Sequence, residues 1–192
     1  MKVLAVYAHP NPNSFNRAVL ESFTRGLKDG GHTFEIIDLY ATDFSPSLKG
    51  QDFAQFTGKP LPKDVLEHQA EVTRADALAF IFPIWYSFYP AILKGWIERV
   101  LCNEFAYRHV EGGVKGLLKH KKAILISTTG GPEPAFKMSG NGAAIQKLDQ
   151  AIFKEACGIP QVEHIFLYCV QQCDDVTRKK YLEQTYLLGK GF

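Results

Sequence analysis

At 192 residues and 21.5 kDa the chain is long enough to bury about 70% of the surface its unfolded form exposes, so it needs no disulfide or metal staple to fold. Hydrophobic residues at 46% and charged residues at 22%, with 16 Gly and 10 Pro, exclude collagen, disorder and coiled coil. A net charge of +2, from 22 Lys and Arg against 20 Asp and Glu, gives no electrostatic reason to expect a nucleic-acid partner.

Val3-Leu4-Ala5-Val6-Tyr7-Ala8 is a near-continuous apolar run, as expected of a strand buried on both faces of a parallel sheet. It is too short for a signal h-region or a membrane span. After the polar turn His9 to Asn13, apolar residues at 15, 18, 19, 23 and 27 predict an amphipathic helix capped by Ser14 and closed at Gly30-Gly31. Phe34 to Leu39 reads as a second strand, and Tyr40 to Pro62 as a long connection holding a short helix near Asp52. A helix over 63–74 leads to a third strand, Ala77 to Phe82, and a helix from about Pro90 to Cys102 follows. Ala123 to Ser127 is a fourth strand, Gly140 to Cys157 a helix, Val162 to Val170 a fifth strand and Val176 to Leu187 a last helix.

Strands alternating with helices in this way predict a single α/β domain over 1–192, a doubly wound five-stranded parallel sheet. Ligands of such sheets bind beyond the carboxyl ends of the strands, where strand order reverses. Cys102, Cys157, Cys169 and Cys173 have no CxxC or zinc spacing, and His32, His68, His109, His120 and His164 have none suited to a metal. The expectation is reduced thiols, no metal, no membrane insertion and a cytoplasmic location.

Three loops carry chemistry. His9-Pro10-Asn11-Pro12-Asn13-Ser14-Phe15-Asn16 closes onto a helix N-terminus, where unpaired N–H groups and the helix dipole suit a phosphate; a Pro-stiffened capped turn reads the same way. Neither GxGxxG nor a Walker loop is present. Phe82 to Pro90 packs five aromatics into nine residues at a strand end, which calls for a flat apolar partner such as an isoalloxazine or quinone, or equally for a core or a subunit interface. Ser127-Thr128-Thr129-Gly130-Gly131-Pro132 lets the backbone approach a planar ligand and turn N–H groups toward an oxyanion, and it is also the sequence of a tight turn.

The run Phe82-Pro83-Ile84-Trp85-Tyr86-Ser87-Phe88-Tyr89-Pro90 through Lys94-Gly95-Trp96-Ile97-Glu98-Arg99-Val100, with Glu104-Phe105-Ala106-Tyr107, resembles the flavodoxin-like NAD(P)H:quinone oxidoreductases. That family's relatives include DT-diaphorase, the modulator of drug activity B group and the flavoproteins of glutathione-gated potassium efflux systems. Ala8-His9-Pro10 with Ser14-Phe15-Asn16, and Thr128-Thr129-Gly130-Gly131, fall where its other flavin loops lie, so the resemblance covers nearly the whole chain. It implies strand order 2-1-3-4-5, a flavin whose phosphates lie near His9, Ser14, Phe15 and Asn16, and a ring against Pro83, Ile84, Trp85, Tyr86 and Ser87 with Thr128, Thr129, Gly130, Gly131 and Phe136. Gln69 and Arg178 match residues that favour FAD, with FMN the second choice. NAD(P)H and then a quinone would use one slot near Tyr86, Phe105, Tyr107, Phe136 and Asn141, with Tyr86, Gly130 and Gly131 at the reacting centre. The resemblance also implies a homodimer with sites at the subunit boundary. Two departures stand out: Phe136 and Gly142 replace a Tyr and a His thought to support the reduced flavin, and neither donates a proton. A regulatory subunit of a potassium efflux system and a flavodoxin-type electron carrier are the alternative functions.

Overall fold

Alternation along the first apolar run sets the layering. In the computed structural model, which describes residues 1–192, the strand β1 (Lys2–Tyr7) sends Val3, Ala5 and Tyr7 to one apolar cluster and Leu4 and Val6 to another. The strand β3 (Ala77–Pro83) does the same with Ala77, Ala79 and Ile81 against Leu78, Phe80 and Phe82, and all seven of its residues are buried. Strands buried on both faces require helices on both faces. Helices α1 (Phe15–Asp29) and α6 (Asp175–Lys190) cover the first side. Helices α2 (Lys63–Arg74) and α3 (Ala91–Val100) cover the second.

With β2 (Thr33–Asp38), and with β6 (Lys122–Thr128) and β7 (Gln161–Leu167) later in the chain, the sheet has five parallel strands in the order β2-β1-β3-β6-β7. This is the 2-1-3-4-5 order, which reverses direction between β1 and β3. Ser14 caps α1 as expected, its Oγ accepting from Arg17 N–H. The short helix near Asp52 is a 3₁₀ turn over Gly50–Phe56, tied to α3 by the buried Arg99, whose Nε donates to Asp52 Oδ1 at 3.0 Å.

Two elements were not expected, and one boundary needs correction. The segment 107–116 forms an antiparallel hairpin, β4 (Tyr107–Val110) and β5 (Gly113–Gly116), turned by Gly112 and Gly113 at φ 82° and 159°. Its strands are short, exposed and polar, so they lack the apolar alternation that marks a strand. The expected helix over 140–157 is preceded by a separate short helix α4 (Glu133–Met138) and broken from it at Gly140, which sits at φ 73°. It then runs as α5 (Asn141–Asp149) into a π-helical stretch, Gln150–Ala156. β7 stops at Leu167 rather than continuing to residue 170.

Candidate functional site

Parallel strands deliver their following loops to one rim, and three of these loops are stitched to each other by backbone hydrogen bonds. Ile84 N–H donates to Thr128 O at 2.8 Å, joining the loop after β3 to the end of β6. Thr129 N–H donates to Leu167 O, Val170 N–H to Thr129 O and Cys169 N–H to Gly131 O, joining the loops after β6 and β7. Asn16, in the first turn of α1, crosses to the same place: its Nδ2 donates to Thr128 Oγ1 at 2.9 Å.

The loop after β1 is ordered by its own polar side chains. Asn11 N–H donates to His9 Nδ1 at 3.0 Å and Asn13 N–H to Asn11 Oδ1 at 2.9 Å, while Tyr7 Oη and Ser14 Oγ pair at 3.1 Å. Burial holds the His9 imidazole below its ordinary range, and an Nδ1 that accepts leaves Nε2–H as a free donor. Because Ser14 satisfies only Arg17 N–H, the N–H groups of Phe15 and Asn16 have no partner in the chain. The buried Asn16 Oδ1 is likewise unpartnered.

In the loop after β3, Trp85 and Phe88 exchange backbone hydrogen bonds at 3.1 and 3.0 Å around Tyr86 and Ser87, which lie at φ 47° and 64°. Two consecutive left-handed non-glycine residues make this a strained turn of the I′ kind. Tyr86 is fully exposed at its tip, and Trp85 reaches back to His9 with ring centroids 5.8 Å apart. Asn141 Nδ2 donates to Ser87 Oγ at 3.4 Å, bringing the start of α5 to the same turn.

Beyond β6, Thr129 Oγ1 folds back onto Gly131 O at 2.8 Å, and the N–H groups of Gly130 and Gly131 have no partner. A Cβ built at Gly131 would meet nothing within 4 Å, and one at Gly130 only Gln171 Oε1 at 3.9 Å. The protein's own packing does not demand glycine at either place, so these positions leave room for something outside the chain. Phe136 of α4 packs on Phe166 and Tyr168, with centroids 5.1 and 5.8 Å away. Gly142 leaves space for that ring, since a Cβ there would come within 3.0 Å of it. Unpaired N–H groups at two helix-or-turn ends, an orphaned buried carbonyl oxygen and an exposed aromatic wall fit a ligand with an anionic tail and a flat polar ring.

The structure thus gathers His9, Ser14, Phe15, Asn16, Pro83 to Ser87, Thr128 to Gly131, Phe136 and Asn141 at one rim. Arg178 is close by but engaged: its Nε and Nη2 donate to Val170 O at 3.3 and 3.2 Å and its Nη1 to Asp175. It braces the loop that supports Thr129 and Gly131. Gln69 is not brought to the rim. Its buried amide donates to Val100 O at 2.9 Å and Cys102 Sγ at 3.3 Å, at the end of α3 remote from the rim. Phe105 and Tyr107 are also absent from it, because α3 runs back toward the edge where β6 begins before the chain reaches them. Tyr107 instead lines an apolar groove of about 570 Å³ with Phe53, Phe56, Leu101 and Ile152.

Four polar residues that no sequence pattern links also meet here. Tyr89 Oη donates to Asp149 Oδ1, Asp149 Oδ2 lies 2.7 Å from His164 Nδ1, and His164 Nε2 lies 2.7 Å from Ser127 Oγ. No sequence signal links them: Ser127 closes the apolar run Ala123 to Ile126, and His164 lies in a strand that also carries Gln161 and Glu163.

The sheet order and the ligand-shaped rim at its switch point define a flavodoxin-like protein. The sequence model of the family described as flavodoxin-like fold matches residues 1–186, and the chain belongs to that family. Within it the chain belongs with the NAD(P)H:quinone oxidoreductases. An uncharacterized NAD(P)H oxidoreductase of Haemophilus influenzae is 31% identical over 185 residues, 95% of this chain and 91% of that one. The ribosyldihydronicotinamide dehydrogenase [quinone] of Rattus norvegicus is 36% identical over 156 residues, covering 72% of this chain and 68% of that one. The solved NAD(P)H:quinone oxidoreductase from Methanothermobacter marburgensis superposes with a TM-score of 0.88 at 34% identity, over 100% of this chain and 95% of that one. No helix is long and apolar enough to cross a membrane.

Proposed function

We propose that residues 1–192 form one flavin-binding domain of a homodimeric enzyme that reduces quinones by two electrons at the expense of NAD(P)H. The observation that carries this is the convergence, at one rim, of the unpaired N–H groups of Phe15, Asn16, Gly130 and Gly131 beside the exposed aromatic turn at Tyr86. The names of the similar proteins point the same way.

In this reading Phe15 and Asn16 N–H, Ser14 and His9 Nε2–H hold the phosphate end. Trp85 and His9 screen that end from water, while Pro83, Ile84 and the turn at Tyr86 and Ser87 form one side of the slot for the ring. Gly130 and Gly131 N–H hold negative charge at the ring's polar edge; with Phe136 and Gly142 unable to donate, the backbone carries this task. When bound, the flavin supplies the two-electron chemistry, taking hydride from a nicotinamide and giving it to a quinone. Tyr86, Phe136 and Asn141 would orient both substrates in turn.

FAD is the proposed flavin and FMN the alternative, although the burial of Gln69 removes one of the two residues that favoured FAD. Phe105 and Tyr107 reach a substrate only in a second copy's site, which the homodimer provides; the exposed apolar residues Leu48, Phe53 and Phe56 beside Tyr107 support such a contact. A cytoplasmic location completes the reading.

Purified protein should carry, or take up, a yellow flavin whose visible absorbance bleaches anaerobically with NAD(P)H and returns on adding a benzoquinone. Failure to bleach refutes the enzyme. Mass spectrometry of heat-released flavin decides between FAD and FMN, and sedimentation at the mass of one chain with full activity refutes the dimer.

A further inference from the structure

Ser127, His164 and Asp149 have the hydrogen-bonding geometry of a nucleophile, a base and its orienting carboxylate, yet Ser127 is 0% exposed, His164 6% and Asp149 1%. No substrate reaches that hydroxyl, so attack on a carbonyl is not its task. Tyr89, 5% exposed, extends the chain by one more link. Every polar side-chain atom along the path is partnered, since the buried unpartnered atoms of this protein all belong to other residues. A carboxylate in the interior is tolerated only on such terms.

The path joins two walls of the rim. The aromatic loop begins at Ile84, whose N–H is held by Thr128 O, and it ends at Tyr89, which the four-residue path ties to Ser127. Both ends of the strained turn are therefore anchored on consecutive residues of β6, directly before Thr129 and Gly130. Phe88, the last residue of the turn, stacks on Tyr89 with ring centroids 4.1 Å apart, so the anchor acts on the turn through a rigid contact. On the other side His164 stacks on Phe166 at 4.0 Å, and Phe166 carries Phe136. Asp149 is the last residue before the π-helical stretch, a departure from α-helical phase that frequently accompanies function. Burial and the Asp149 charge both push the Tyr89 phenol far above its ordinary range, so it stays a donor.

We propose that Tyr89, Asp149, His164 and Ser127 are positioning residues, forming one buried hydrogen-bonded strut that fixes the aromatic loop relative to the Thr128–Gly131 loop and so sets the width of the slot between them. The mechanical claim stands on the geometry alone; its consequence for affinity rests on the flavin reading above.

The test is a double-mutant cycle on the two ends, which do not touch: Tyr89→Phe, Ser127→Ala and both together. Hydrogen exchange of the 84–89 amides in ligand-free protein should quicken by about the same factor in either single variant and no further in the double. FAD and FMN titrations followed by fluorescence should weaken about tenfold in each single variant and about tenfold, not a hundredfold, in the double. Multiplying effects, or loosening only at the mutated end, overturn the strut. Non-additive exchange in a protein that binds neither flavin upholds the strut and refutes the flavin reading; flavin binding with multiplying effects does the reverse. If Ser127→Ala loses its cooperative melt, His164→Asn replaces it in the same cycle with Tyr89→Phe.

Discussion

Tyr86 and Ser87 hold left-handed backbone at φ 47° and 64°, which costs an ordinary residue about 1–2 kcal/mol each, and the Tyr86 side chain recovers none of it by packing because it is fully exposed. Selection for folding alone would put Asn-Gly here. Tyr86→Gly is therefore expected to keep or raise stability, by up to about 1 kcal/mol after glycine's greater unfolded-state entropy is counted, while raising the quinone KM. A thermal melt beside steady-state kinetics checks this, and a loss of stability with unchanged KM contradicts it. Gly131 makes the complementary case. Its Cβ would meet no protein atom within 4 Å, and its φ is not in the left-handed region. Gly131→Ala should change apo stability by no more than the roughly 0.5 kcal/mol typical of surface changes, yet weaken flavin binding about tenfold or more. Equal flavin affinity in that variant would mean that the glycine serves the turn and not a ligand.

Among the elements, α1 follows the loop proposed to hold the phosphate, and its place is set by how closely it approaches α6. A Cβ at Gly26 would lie 2.1 Å from Tyr186 O, and one at Gly189 would lie 2.1 Å from Phe23 O, so the two backbones touch where each glycine stands. Gly26→Ala must push the helices apart, at about 1–3 kcal/mol, read as a lower urea midpoint with an unchanged slope. The same helix shows what could be read in advance. Its apolar spacing and the Ser14 cap were local signals, and so was the burial of β1 and β3, because side chains facing two helical layers must be apolar in both phases. Elements held by distant partners were not legible. The hairpin of β4 and β5 is exposed and polar, and the break at Gly140 depends on a turn that one glycine only permits. Gln69 illustrates the same limit at the site: its family position suggested a ligand, but helix phase and the pairing of α2 with α3 turn its amide into the core. The strut was invisible for the plainest reason, since its four residues are spread over 89–164 and only the sheet register of β6 with β7 brings two of them together.

At the scale of the whole molecule, α2 and the connection before β6 that packs on its end hold two histidines, His68 and His120, that folding makes hard to charge. Burial holds His120 below its ordinary range although Asp76 and the Val72 carbonyl oppose the shift, and its Nδ1 has no partner. Burial likewise lowers His68, against the opposing pull of Glu71, Asp64 and Glu67. Below the unfolded imidazole value of about 6.5, the unfolded chain therefore binds protons that the folded chain refuses, and the folded state loses stability as pH falls. Asp64 adds to this at more acid pH, because the Arg99 guanidinium beside it, Nη1 to Oδ2 at 2.6 Å, holds its carboxyl below the usual range and that pairing is lost on protonation. The melting temperature should consequently decline from pH 7 toward pH 5, ahead of the carboxylates. His120→Gln, which keeps a donor for the Val72 carbonyl but cannot titrate, should flatten the first part of that decline. A His120→Gln variant whose pH profile runs parallel to the wild type's would show that His120 is not its source.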